Sequence, residues 1–235
     1  MRRTIICLTL LMLFSGVYLR ADEAPPAVKC KISLYLVGGK AKGAQAVAQG
    51  ATRKSEKLYY FSKGEAQEVT VNSGQRTPEF QYAGPTDFKL YRRTGVGPDG
   101  LPAYAEAASL ALKPNEQRTM LTLLDQGSRY AMLPIDLSRA SQVRDAALML
   151  NLGNLTVACL AGDQKFTLKP LESKQVPLRP VGSDLQFEIK CAAQVADGWS
   201  MVYSGSQTVR KGSHYVFLLL PEDDGSAYRV IRFRV

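Results

Sequence analysis

Along most of the chain, apolar and polar residues alternate in short runs that turn-forming residues cut at close intervals. Glu68-Val69-Thr70-Val71 and Leu185-Gln186-Phe187-Glu188-Ile189 repeat with period two, the pattern of strands with one buried and one wet face. Between such runs stand Ser62-Lys63-Gly64-Glu65, Gly97-Pro98-Asp99-Gly100, Ala161-Gly162-Asp163-Gln164 and Pro221-Glu222-Asp223-Asp224-Gly225, each a turn signal. No long stretch has helical periodicity. A parallel sheet would need helical crossovers, so the pattern predicts antiparallel β-sandwich architecture.

The runs recur in a fixed order. The stretch from Asp87 matches the one from Leu185: Phe88 and Leu90 answer Phe187 and Ile189, the Gly97–Gly100 turn answers the turn ending at Trp199, and Tyr104 answers Tyr203. Met120 to Leu124 answer Phe217 to Pro221, and Tyr130 answers Tyr228. Upstream, the strand-turn-strand from Leu58 has the form of that from Leu155, and Lys31–Gly39 parallels Asp145–Gly153. A repeat of this size means duplicated domains. The expected fold is all-β, two tandem antiparallel Ig-like sandwiches over residues 27–136 and 143–235, each of the usual size for such a domain. The first carries an Ala/Gly/Gln-rich insertion at 38–57, read as a solvated loop or a short helix.

The N-terminus departs from this pattern. Arg2 and Arg3 precede an apolar run from Ile5 to about Leu19, then Ala21 and an acidic, Pro-containing segment. That is the layout of a secretory signal peptide, residues 1–21, cleaved near Ala21. The run is shorter than the ~20 residues a spanning helix needs, although a retained anchor is the alternative, and no later segment offers a transmembrane helix. The expected location is periplasmic or secreted. The chain has 30 Lys+Arg and 21 Asp+Glu. Losing Arg2, Arg3 and Arg20 with the leader leaves 27 against 21, or +6. This charge is spread out, unlike a nucleic-acid binder, and suits a solvated basic surface, an acidic polysaccharide or an acidic protein.

Candidate chemistry is sparse. The single histidine, His214, follows Ser213, but neighbours on a strand point to opposite faces and cannot form a nucleophile pair. The repeat sets Ser213 and His214 against Glu116 and Gln117, polar residues where a strand begins, so no catalytic residue is assigned. One histidine and no Cys-x-x-Cys pair exclude an ordinary zinc site, and no glycine-rich phosphate loop is present; no cofactor is expected. A carboxylate pair across facing strands could hydrolyse glycosides, but Glu65, Glu68, Asp163 and Glu188 fall in turns or at outward positions.

Cysteines and aromatics say more. Export favours pairing, and parity places Cys159 and Cys191 on the core side of the second copy, where a disulfide is expected; Phe61 and Arg92 hold the matching places in the first copy. Cys30 is left over. Trp199, after a turn, could with Tyr203 offer ring faces to a sugar or peptide, the alternative being packing at a hairpin end. The strand 215–220 is apolar on both faces. One face fills the core; the other needs cover, by the first copy or by a partner, which makes Tyr215, Phe217 and Leu219 candidate binding residues.

A leader followed by two small β units, opening on strands such as Leu34–Gly39 and Leu148–Gly153 and closing on strands such as Thr208–Leu220, resembles the periplasmic alginate-acetylation accessory proteins of bacteria. The resemblance covers most of the chain in layout, with no distinctive motif on which a functional residue could be carried over. It implies a noncatalytic protein that assists export-associated machinery in acetylating a polysaccharide. Three expectations result: a noncatalytic envelope protein with a protein or polysaccharide partner, a carbohydrate-binding module, or a hydrolase with undetected acids.

Overall fold

A computed structural model describes residues 27–37, 55–140, 143–179, 184–222 and 226–235. The expected leader lies outside them, as do residues 38–54 of the expected loop; residues 55–57 belong instead to a strand. The first unit contains β1 (Ala27–Leu36), β2 (Ser55–Ser62), β3 (Glu65–Asn72), β4 (Phe80–Pro85), β5 (Asp87–Val96), β6 (Pro102–Ala111), β7 (Arg118–Asp125) and β8 (Tyr130–Asp136). A single helical turn, α1 (Leu137–Ala140), leads to the second. There follow β9 (Ala146–Asn151), β10 (Val157–Ala161), β11 (Gln164–Leu168), β12 (Ser173–Pro177), β13 (Asp184–Val195), β14 (Gly198–Arg210), β15 (His214–Pro221) and β16 (Tyr228–Arg234).

The strands form four four-stranded sheets. In the first unit the orders are β4-β1-β7-β8 and β3-β2-β5-β6; in the second, β12-β9-β15-β16 and β11-β10-β13-β14. Adding eight to each strand number of one unit gives the other, so the duplication extends to the whole topology. The hairpins behave as their turn residues dictate: Lys63 and Gly64 both have positive φ, 53° and 84°, the two-residue turn that matches strand twist.

Pairing is not wholly antiparallel. β1 runs parallel to β7, and β9 to β15. No helical crossover is needed, because the chain travels through five intervening strands, most of them in the other sheet, before returning to pair.

Each sandwich has its own core. In the first, Ile32, Leu34, Leu58, Phe88, Leu121 and Leu123 are buried together; in the second, Met149, Val157, Phe187, Ile189, Phe217 and Leu219 are. A third cluster joins the units: Tyr35, Met120, Ile135 and Leu137 meet Leu150, Val216, Leu218 and Leu220. Tyr35 packs edge-on against Phe233, with ring centroids 4.8 Å apart. The layers are thus outer sheet, inner sheet, inner sheet, outer sheet.

This stack answers which face of strand 215–220 is covered by what. Tyr215, Phe217 and Leu219 fill the core of their own unit, and Val216, Leu218 and Leu220 meet the first unit. With 4 %, 0 % and 0 % exposure, Tyr215, Phe217 and Leu219 present nothing to a partner, correcting that expectation.

The duplication also has a different register from the one read off the sequence. Leu121 sits beside Leu34 and Phe217 beside Met149 on their ladders, and all four face their own cores. Leu121 therefore answers Phe217, while Met120, on the seam, answers Val216. A match of Met120 with Phe217 is one residue out, and in a strand one residue exchanges the two faces. Arg118, not Gln117, then occupies the place of His214.

Leu218→Ala, at a side chain with no exposure, should cost about 2–5 kcal/mol in urea unfolding. Leu101→Ala, at a residue 62 % exposed, should stay within about 0.5 kcal/mol.

Candidate functional site

The outer sheet of the first unit exposes a cluster of rings. On β2, buried Leu58 and Tyr60 alternate with Tyr59 and Phe61, so the pleat sends the latter pair to the solvent face. Tyr59 stands opposite Tyr91 on β5, and Arg93, two residues beyond Tyr91 on the same face, stands opposite Tyr104 on β6. The rings close into one group: Tyr59–Tyr104 at 5.3 Å, Phe61–Tyr91 at 5.3 Å and Phe61–Tyr104 at 5.6 Å between centroids. These are edge-to-face and tilted contacts, favourable between aromatic quadrupoles. Phe61 remains 38 % exposed and the three tyrosines are half-buried.

Charges surround the rings. Lys57 Nζ lies 2.8 Å from Glu68, which also accepts the Tyr59 hydroxyl at 2.9 Å. The bonds from Lys57 and then Tyr59 hold the Glu68 carboxyl below the ordinary carboxylate range, and the shared bond raises the Tyr59 phenol. Lys89 bridges Asp87 and Glu106 at 3.2 and 3.3 Å. Arg93 is exposed and makes no ion pair among the described residues. The face therefore combines apolar ring area, phenol hydroxyls and one uncommitted guanidinium, a set that binds by stacking and by charge. The alternation on β2 could have revealed it, but Tyr59, Phe61, Tyr91 and Tyr104 are too far apart in sequence to show as a cluster.

The residues singled out from sequence are dispersed. Trp199 is at the tip of the β13–β14 hairpin, 52 % exposed, near Met201 at 60 %. Tyr203 leans against the second core and accepts a bond from Gln207; the two do not form a ring platform. The equivalent β5–β6 tip exposes Val96 and Leu101 at 64 % and 62 %.

Cys159 and Cys191 face one another across β10 and β13, buried as free thiols with their sulfurs 2.9 Å apart. Contact with Cys159 and burial drive the Cys191 thiol strongly upward. In the first unit Tyr59 is opposite Tyr91 as Ala158 is opposite Ala192, so buried Leu90, not Arg92, stands where Cys191 does; Arg92 pairs with Glu56. The place of Cys159 belongs to Tyr60, not Phe61, because the hairpin turns align Ser62 with Ala161 and Phe61 faces outward. Cys30 is buried in the first core, its thiol raised to about 11 by burial and by the nearby Glu116 carboxylate.

His214, expected at the polar start of a strand, is instead buried, 4 % exposed. Its Nδ1 lies 2.8 Å from the Val143 carbonyl, which can only accept; Nδ1 therefore carries the proton. Nε2 has no partner among the described residues, nor does the Ser213 hydroxyl. Among the described residues no group of three His, Cys, Asp or Glu side chains is placed to hold a metal ion, and no helix is long and apolar enough to cross a membrane. No protein-family model matches the chain, and no curated protein does.

Burial lowers the His214 pKa below 6.5, against the upward pull of the Val143 bond. The unfolded chain then takes up a proton at a pH where the folded one does not, so stability is full above about pH 6.5 and falls as pH drops below it. Urea unfolding at about pH 7.5 and about pH 5.5 should show that loss, and His214→Gln should lessen it.

Proposed function

We propose that the protein is an exported, noncatalytic envelope protein that holds an acidic polysaccharide on the outer face of its first unit, as an accessory to polysaccharide modification or export. The observation that carries this reading is the ring group Tyr59, Phe61, Tyr91 and Tyr104 beside the uncommitted Arg93. Sugar rings present apolar C–H faces that lie against aromatic rings, while tyrosine hydroxyls meet their polar rims. A uronate carboxylate supplies the anion that Arg93 lacks. The +6 balance expected after leader removal favours the approach of a polyanion.

The site needs no catalytic group, because the work is retention. Residues on three strands of one sheet keep the rings in register, so the polymer meets a preformed surface and little ordering opposes binding. The Ig-like reading of each unit fits this role, two four-stranded sheets of about 100 residues that serve as a rigid scaffold.

A second reading has its own observation: the equivalent hairpin tips of both units expose apolar side chains, Val96 and Leu101 in one, Trp199 and Met201 in the other. Such tips suit a protein partner that touches both units.

Affinity electrophoresis through alginate, with neutral dextran as control, separates the readings. Retardation by alginate should weaken about tenfold in Tyr104→Ala or Phe61→Ala, fall in Arg93→Ser with loss of salt sensitivity, and persist in Trp199→Ser. No retardation of the parent protein, or equal retardation of all variants, would overturn the polysaccharide reading.

Export also implies that Cys159 and Cys191 are joined in the protein's own compartment. Unfolded without reductant, the mature protein should then expose one alkylatable thiol, Cys30. Three reactive thiols would refute the bond.

A further inference from the structure

The seam between the units opens on one side into a cleft of about 750 Å³, within the range of small-molecule sites. The loop before β7, the end of β8 and α1 provide one wall; β9, β12 and the first residue of β15 provide the other. Apolar lining comes from the seam itself, Leu133 and Ile135 facing Leu148 and Leu150. Amides and hydroxyls, among them Gln117, Gln175 and Ser138, supply polar lining, and so does His214.

His214 gives the cleft its chemistry. With Nδ1 donating to the Val143 carbonyl, neutral Nε2 is an acceptor, and it is buried without a partner among the described residues. A buried polar atom left unpaired costs about 1–3 kcal/mol, which a ligand bringing a donor would recover. The lining carboxylates are already engaged: Glu116 accepts from Thr119 at 3.0 Å and has Lys113 at 3.7 Å, while Asp136 accepts the Ser138 amide at 2.8 Å. They disfavour an anion.

The duplication shows that this arrangement is particular to the second unit. Ile32 is opposite Phe80 on its ladder and Ala147 opposite Val176, so Glu79 answers Gln175 just as Arg118 answers His214. In the first unit those two positions are locked together, Arg118 Nε donating to Glu79 at 2.7 Å, with Arg76 joining at 2.9 Å. In the second unit the same two positions hold neutral side chains that line the cleft.

We propose that this cleft binds a small neutral polyhydroxylated molecule of mono- or disaccharide size, one hydroxyl of which donates to His214 Nε2. Its apolar walls take the C–H faces of the sugar, and its amides and hydroxyls take the remaining hydroxyl groups. The site lies on the seam, on different strands from the aromatic face, so each can fail without the other.

The single histidine makes the test direct. In full-length protein labelled with ¹⁵N-histidine, titration with maltose, cellobiose or N-acetylglucosamine should give a saturable shift of the Nε2 resonance for at least one sugar. Gln175→Glu combined with His214→Arg, which installs the ion pair of the first unit, should abolish binding of that sugar by calorimetry. Ser173→Trp, at an exposed lining position, should weaken it about tenfold or more. The proposal is overturned by no saturable shift with any of the three sugars, by a shift with ethanolamine alone, or by sugar binding that survives Ser173→Trp undiminished.

Discussion

Two sheets in this molecule have apolar side chains on both faces, and most of the architecture depends on covering them. β15 is the plainest case: Tyr215, Phe217 and Leu219 need one partner sheet, and Val216, Leu218 and Leu220 need another. A two-layer sandwich covers only one face of each sheet. Back-to-back packing of the inner sheets meets the remaining requirement without any second chain. At about 25 cal/mol per Å² of apolar surface, leaving such a face in water would cost more than a domain's net stability can spare. The outer sheets, backed on one side only, keep a solvated face that can carry recognition.

Duplication makes the differences between the units informative. Both copies conserve the pattern that builds cores, yet their polar choices diverge at matching places. Arg118 with Glu79 becomes His214 with Gln175, and the places of Tyr60 and Leu90 are taken by a thiol facing a thiol. On the outer sheets, Tyr59 and Phe61 of β2 correspond to Ala158 and Leu160 of β10, so only the first unit builds the ring group. Scaffold and recognition have thus separated: the repeat holds the sheets, and each copy decorates them differently.

The duplication and the core parity of Phe88, Leu90, Phe187 and Ile189 were legible from alternation and turn residues, because period two follows from backbone geometry that every strand shares. The juxtaposition of Cys159 with Cys191 was legible for the same reason. The register of the repeat was not: over residues 215–220 of β15, all of them apolar, alternation carries no signal, and the match of Met120 to Phe217 slipped by one. The parallel pairs β1/β7 and β9/β15 were also invisible, since the rule linking parallel strands to helical crossovers does not cover a chain that returns through a second sheet.

The candidate sites divide along the same line. The sequence by itself determined which residues could be buried and where the chain turns, since side-chain hydrophobicity and turn stereochemistry act over a few residues. Only the tertiary structure decided that Tyr215, Phe217 and Leu219 are core while Tyr59, Phe61, Tyr91 and Tyr104 share a wet face. It alone set His214 beneath the seam with one nitrogen unpaired. These are questions of which strands become neighbours, and that is settled by packing whole apolar faces against one another across the fold.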